Sequence, residues 1–164
     1  MVIALYGDSC VGKTAVARRV GQLLGYEVRH CGELIKVRSA ALGCTGDALP
    51  TAEHCKLDDE TRQIASAASV NIVVEGSFLN SVLRERTNVA LIRLICSPRE
   101  RRRRYLLRRG GGSLESRDGK DLRIRRELYG AQQNREPDLE IDTSAASAVD
   151  VAERIVAWVK DHRI

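Results

Sequence analysis

The sequence predicts an α/β fold in which a parallel sheet of about five strands is covered on both faces by helices. Short apolar runs alternate with longer stretches of helical periodicity, the pattern of repeated strand–helix–strand units. The run Asn71 to Glu75, apolar between its two ends, and the run Val89 to Cys96, apolar apart from Arg93, read as strands buried on both faces. The first run, Val2 to Tyr6, passes through a glycine-bounded loop straight into a helical pattern.

Ala15, Val16, Val20, Leu23 and Leu24 recur at helical spacing, and Gly25 closes the run, so a first helix is expected over Lys13 to Leu24. A weak strand at Glu27 to Arg29 follows, then a helix near Gly32 to Leu42 and a polar loop with Gly43, Gly46 and Pro50. Another helix starts at Thr51 or Asp58 and runs to Ala68. A short helix near Ser77 to Arg86 joins the two strong strands. Pro98 suits the first turn of a helix that continues to the glycines at 110–112, read as a hinge. A helix from Leu114 to Arg135, a last strand at Leu139 to Asp142 and an amphipathic helix from Val149 to Val159 complete the chain.

At 164 residues the chain has the size of one domain, 1–164, that can bury a core without staples. No apolar run approaches the roughly 20 residues that span a bilayer, and the first residues lack a basic leader, so no membrane partner and a cytoplasmic location are expected. Five cysteines, odd in number and never spaced Cys-x-x-Cys, read as free thiols, and Cys44, His54 and Cys55 match no zinc spacing. The net charge of +5 suits a polyanionic ligand. Aromatic residues are only 4% of the chain, too few for base-stacking platforms, so nucleic acid is not the expected partner. A monomer is expected.

Gly7, Asp8, Ser9, Cys10, Val11, Gly12, Lys13 and Thr14 match G-x-x-x-x-G-K-[ST] at every fixed position, between a strand and a helix. Successive backbone N–H groups of such a loop form an anion nest, reinforced by the helix N-terminus. Lys13 then reaches the β- and γ-phosphates of ATP, and Thr14 offers its hydroxyl to Mg²⁺. The predicted architecture is thus the three-layer P-loop NTPase fold, with ATP and Mg²⁺ as cofactors. Cys10 reads as a small filler of the loop.

Glu75, where an apolar strand meets Gly76, is placed to hold Mg²⁺ through water or to orient an acceptor, because ligands gather beyond the carboxyl ends of parallel strands. Asp8 is a second carboxylate beside the phosphates. On one helix, Arg101, Arg104, Tyr105 and Arg108 share a face, so three guanidinium groups can converge on developing phosphate charge. This segment, about 98–114, reads as a helical arginine lid.

The order of shorter motifs resembles the cytidylate kinase-like branch of the nucleoside-monophosphate kinases, particularly its short archaeal-type members. Cys31-Gly32-Glu33-Leu34-Ile35-Lys36 is similar to T-G-E-[IL]-F-R, Val73-Val74-Glu75-Gly76-Ser77 to V-[LI]-E-G-R, and Ser97-Pro98-Arg99-Glu100-Arg101 to [AS]-P-x-E-x-R. Arg117-Asp118 through Leu128-Tyr129-Gly130 and Asp138 through Ser144 continue the likeness, which covers nearly the whole chain. The resemblance implies a helical acceptor-binding insert at about 31–68 that includes Glu33, an acceptor contact at Gly76, and an adenine edge near Asp142 and Thr143. The implied acceptor is a nucleoside monophosphate, CMP-like. Ser77 departs from the pattern's acceptor-gripping arginine, as does the region from Leu42 to Lys56, and Arg38 and Arg62 are candidates for the missing grip.

Two other readings stay open on the same residues. A hydroxyl acceptor needs a nearby carboxylate, which Asp8 or Glu75 could be, whereas a monophosphate attacks with an oxygen that is already ionised. A non-enzymatic nucleotide-sensing or RNA-binding module would use the basic helix.

Overall fold

The computed structural model describes residues 1–67, 71–109, 113–130 and 134–162. Five strands, β1 Val2–Tyr6, β2 Glu27–His30, β3 Ile72–Glu75, β4 Val89–Ile95 and β5 Leu139–Asp142, form one sheet in the order β2-β3-β1-β4-β5. Every neighbouring pair is parallel. This is the three-layer P-loop fold that the alternation of short apolar runs and helical stretches predicts.

The pleat of β1 builds both halves of the core, since successive side chains of a strand point to opposite faces. Ile3 and Leu5 face α1 (Lys13–Leu24) and α7 (Ala148–His162), where Val16, Val20, Val151, Ile155 and Val159 meet them. Val2, Ala4 and Tyr6 face the other layer, with Ala65 of α3 (Thr51–Ser66), Leu79 and Val82 of α4 (Leu79–Val82) and Tyr129 of α6 (Leu114–Tyr129). The remaining helices are α2 (Cys31–Ala41) and α5 (Pro98–Arg109), the latter carrying the arginine block. A 3-10 turn, Gly46–Ala48, lies in the polar loop before α3.

Three expectations are corrected. The helix after β3 is one turn, Leu79–Val82, rather than Ser77 to Arg86, and the following turn is closed by the Arg86 N–H donating to the Leu83 carbonyl at 3.0 Å. Helix α6 stops at Tyr129 with Gly130 as its cap, short of Arg135. Arg135 instead pins the approach to β5, its guanidinium donating to Asp138 at 2.8 Å and to the Val89 carbonyl at 3.1 Å. Finally, the sheet is not covered everywhere. Arg93, the residue that interrupts the fourth apolar run, is exposed and pairs with Glu140 at 3.0 Å directly across the β4–β5 register. An edge strand open to water on one face takes such a pair in place of apolar residues. The glycines read as a hinge, 110–112, lie outside the described residues.

The chain leaves β1 through α1 for β2 on one side, and later crosses from β3 past β1 to β4 on the other. The strand order therefore reverses at β1, and a crevice opens beyond its carboxyl end. Gly7 to Thr14 occupy that crevice.

Candidate active site

The loop after β1 is shaped by close approach. Gly7 has φ +143°, and a Cβ built on it would lie 2.2 Å from the Leu94 carbonyl oxygen of β4, so no side chain fits. Cys10 (φ 65°) and Gly12 (φ 100°) also adopt left-handed conformations, which turn successive N–H groups toward one side. Helix α1 begins at Gly12 with no side-chain cap and no acidic residue in its first turn. Among the described residues no side chain caps its N–H groups, the condition for receiving an anion.

Lys13 bends back over the loop, its Nζ donating to the carbonyls of Gly7 and Asp8 at 2.8 Å each. Burial pulls its pKa down, and the charges of Glu75, Asp121 and Asp8 oppose that shift. Thr14 Oγ1 donates to Glu75 Oε1 at 3.1 Å. Glu75 is 5% exposed, and the same oxygen lies 3.1 Å from His30 Nδ1, so the carboxylate links α1, β2 and β3. His30 ends β2 in register with Glu75, a position the sequence marks only through its place after the second strand.

The arginine helix divides. Arg101, 9% exposed, donates through Nε to the Ser9 carbonyl at 3.0 Å and through Nη2 to Asp118 at 2.6 Å, with Asp8 3.4 Å from Nη1. Arg104 reaches Val11 and Thr143, donating to the Val11 carbonyl at 3.3 Å and to the Thr143 carbonyl at 2.5 Å. Its Nε is held by Glu100, whose pKa is drawn down to about 2 by hydrogen bonds from Arg103 and Arg104. Arg108 does not join them. It is exposed, and its charge acts on Glu33 instead, so the expected convergence of three guanidinium groups is a convergence of two.

Helix α6 supplies groups that sequence reasoning missed. Ser9 Oγ donates to Asp121 at 3.1 Å, Arg117 pairs with Asp121 at 3.2 Å, and Asp118 holds Arg101. Burial raises the pKa of Asp121, opposed by Arg117, the Ser9 hydroxyl and Lys13. The available signal was the three-residue spacing of Asp118 and Asp121, which puts both on one helix face.

At the opposite wall the residues named for nucleotide and acceptor are mostly committed within the chain. Thr143 is 3% exposed, and its hydroxyl lies 2.7 Å from the Val11 carbonyl oxygen, tying β5 to the phosphate loop. Asp142 is exposed and accepts from the N–H of Ser144 at 2.8 Å. Arg38 forks between Glu53 and Glu60, both at 2.9 Å, clasping α2 to α3. Arg62 spends its Nε on the Val82 carbonyl at 3.1 Å and its Nη1 on Asp59 at 2.6 Å. Glu33 is exposed beside Lys36 at 2.7 Å. Gly76 packs on Cys31, whose thiol burial pushes up to about 12. Among the described residues no three His, Cys, Asp or Glu side chains gather as a metal cluster, and no helix is long and apolar enough to cross a membrane.

The sequence pattern of the AAA domain family matches residues 3–123, well over half of the chain. The chain belongs to the AAA domain family. No curated protein matches it. Solved structures with similar folds include an uncharacterized protein from Eubacterium ventriosum, 12% identical with a TM-score of 0.72, covering 98% of each chain. They also include the shikimate kinase of Acinetobacter baumannii in complex with shikimate, 21% identical, TM-score 0.65, covering 99% of this chain and 94% of that one. A gluconokinase from Sinorhizobium meliloti is 16% identical with a TM-score of 0.65, covering 98% and 91%. This AAA domain therefore has a P-loop kinase fold. These neighbours do not single out the cytidylate kinase-like branch.

Proposed function

We propose that the protein is an ATP- and Mg²⁺-dependent kinase that transfers a phosphoryl group to a small-molecule acceptor. The observation that carries this reading is the uncapped α1 N-terminus inside the Gly7 to Thr14 loop, faced by the ammonium of Lys13 and the guanidinium groups of Arg101 and Arg104. The residues present fit ATP–Mg²⁺: left-handed Cys10 and Gly12 turn loop N–H groups to one side, the α1 N-terminus has no side-chain cap, and Thr14 with Glu75 offers hard oxygens to the metal. When bound, ATP supplies the phosphoryl group and Mg²⁺ neutralises charge on its oxygens. Lys13 exchanges its two carbonyl partners for phosphate oxygens, Arg101 and Arg104 hold the loop from the α5 side, and α6 screens the site from water. Asp8, Cys10 and Val11 contribute through the backbone, Asp142 and Thr143 border the base, and Arg108 with Glu33 stands at the outer rim.

The finer acceptor we propose is a nucleoside monophosphate, supported by the order of motifs from Cys31 to Ser144, with Gly76 as an acceptor contact. A hydroxyl acceptor is the second reading, and one observation favours it: Arg38 and Arg62 are both tied to carboxylates of α3, while Glu75 is buried at the crevice. Shikimate and gluconate, named for the similarly folded kinases, are hydroxy acids. ADP release from ATP–Mg²⁺, measured against a panel of nucleoside monophosphates and hydroxy acids, tests both. Stimulation by one monophosphate upholds the first, stimulation by hydroxy acids alone the second, and ATP binding without turnover on any acceptor overturns the kinase reading for this panel.

The α6 carboxylates add a prediction. Asp121 sits beside Lys13 and Ser9 where phosphate charge is expected, so like-charge repulsion opposes nucleotide entry. Asp121→Asn is expected to tighten ATP binding by about three- to tenfold, worth ~1 kcal/mol for a partly screened pair. Equilibrium titration of ATP at fixed ionic strength checks it, and equal or weaker binding contradicts it.

A further inference from the structure

We propose that the cavity walled by α3, α4, the turn after α4 and the end of α6 is a second binding site, for a small anion bearing carboxylate or phosphate oxygens. Its volume is ≈ 290 Å³, and Asp58, Arg62, Arg84, Glu85, Arg86 and Tyr129 are among its lining residues. None of the phosphate-loop residues, nor Glu75, Arg101 or Arg104, borders it, so it is separate from the crevice at β1. The volume is at the lower end for pockets that enclose small organic ligands.

Its electrostatics favour an anion. Three guanidinium groups line the cavity beside the carboxylates of Asp58 and Glu85; Arg62 pairs with Asp59 and Arg84 with Glu85, which leaves Arg86 as the guanidinium without a carboxylate partner among the described residues. Asp58 accepts the Tyr129 hydroxyl at 2.7 Å, and burial raises its pKa against the opposing pull of that hydroxyl and of Arg62. Glu85 has a side chain 80% exposed and lies against Arg84 at the rim. Among the described residues, the Arg86 guanidinium makes no hydrogen bond or ion pair that would occupy its five donors, and Arg62 leaves Nη2 unused after bonding Val82 and Asp59. A guanidinium fork with unused donors on a concave wall matches carboxylate or phosphate oxygens in a bidentate manner.

The wall is also pre-positioned. The Arg86 carbonyl accepts from Arg135 Nη1 at 2.5 Å, and Arg135 is itself clamped by Asp138. Ser81 Oγ donates to Asn134 at 2.6 Å, fixing α4 to the segment before β5. The backbone that carries this wall is therefore fixed before a ligand arrives, which lowers the ordering cost of binding. The proposal does not depend on the phosphoryl-transfer reading.

Cys55 lines the same cavity and is exposed, so its alkylation reports occupancy. The full chain is treated with iodoacetamide in malonate, in inorganic phosphate, and in chloride at matched ionic strength, and Cys55 modification is followed by peptide mass mapping. Malonate or phosphate is expected to slow Cys55 alkylation at least threefold relative to chloride. The concentration giving half-protection is expected to be unchanged in Lys13→Ala and to rise about tenfold in Arg86→Ala, as for loss of one charged hydrogen-bonding group. Arg62→Gln, a milder change, is expected to move it in the same direction. Protection by malonate alone identifies a carboxylate site and by phosphate alone a phosphate site. The proposal is overturned if neither anion protects beyond chloride, if protection is lost in Lys13→Ala, or if it survives unchanged in both arginine variants. Unchanged circular dichroism and melting temperature of the variants keep loss of fold out of the comparison.

Discussion

Lys13→Ala is expected to lower phosphoryl transfer by about 10³-fold, the loss typical of removing one preorganised donor from developing transition-state charge, taken at its upper end because the group carries a full charge. Lys13 is the ammonium nearest the loop, and its present partners are the neutral carbonyl oxygens of Gly7 and Asp8, which a charged phosphate oxygen outcompetes. Arg101 and Arg104 do not substitute for it, since each is already hydrogen-bonded to loop carbonyls and to Asp118 or Thr143. The check is the turnover rate on the acceptor that stimulates wild type, together with a thermal melt. A variant that stays folded and keeps more than a tenth of the wild-type rate would remove Lys13 from the chemistry.

Gly7→Ala is expected to be among the most damaging single changes to stability, by roughly 2–5 kcal/mol, combining overpacking with a backbone conformation open to glycine alone. The added Cβ would meet the Leu94 carbonyl at 2.2 Å, and that oxygen belongs to the central strand β4, which cannot recede without disturbing its pairing with β1. Gly25→Ala is the control: φ is +68° and nothing lies within 4 Å of the added carbon, so only the left-handed penalty of ~1 kcal/mol applies. Urea unfolding of both variants separates the two terms. Equal losses would show that crowding against β4 is not what requires Gly7.

Much of this molecule could be read before any coordinates. The five strands, the span of α1 and the phosphate loop follow from local signals that act within a few residues: apolar runs, 3.6-residue periodicity, glycine at a turn. Where local signals competed, the reading slipped. Ser77 to Arg86 has helical propensity, yet tertiary contacts allow one turn, because Ser81 is drawn to Asn134 and Arg86 to Arg135. The arginine face was legible as a face, but which of its members meets the loop depends on how α5 is aimed, and Arg108 falls outside.

The site divides along the same line. The sequence by itself determined that there is a phosphate cradle, that Lys13 and Thr14 open the helix behind it, and that Glu75 ends a strand beside it, because covalent order places these groups within one loop or one strand end. Only the tertiary structure decided that Thr14 and His30 meet one carboxylate, Glu75, that Asp118 and Asp121 lie over the loop, that Arg38 is bound to α3 and that Arg62 is bound to the end of α4. Those partners are separated by up to 112 positions in the chain. A charge carries no local mark of its counter-ion: its partner is chosen by the packing of whole helices, which minimises unpaired charge over the entire fold.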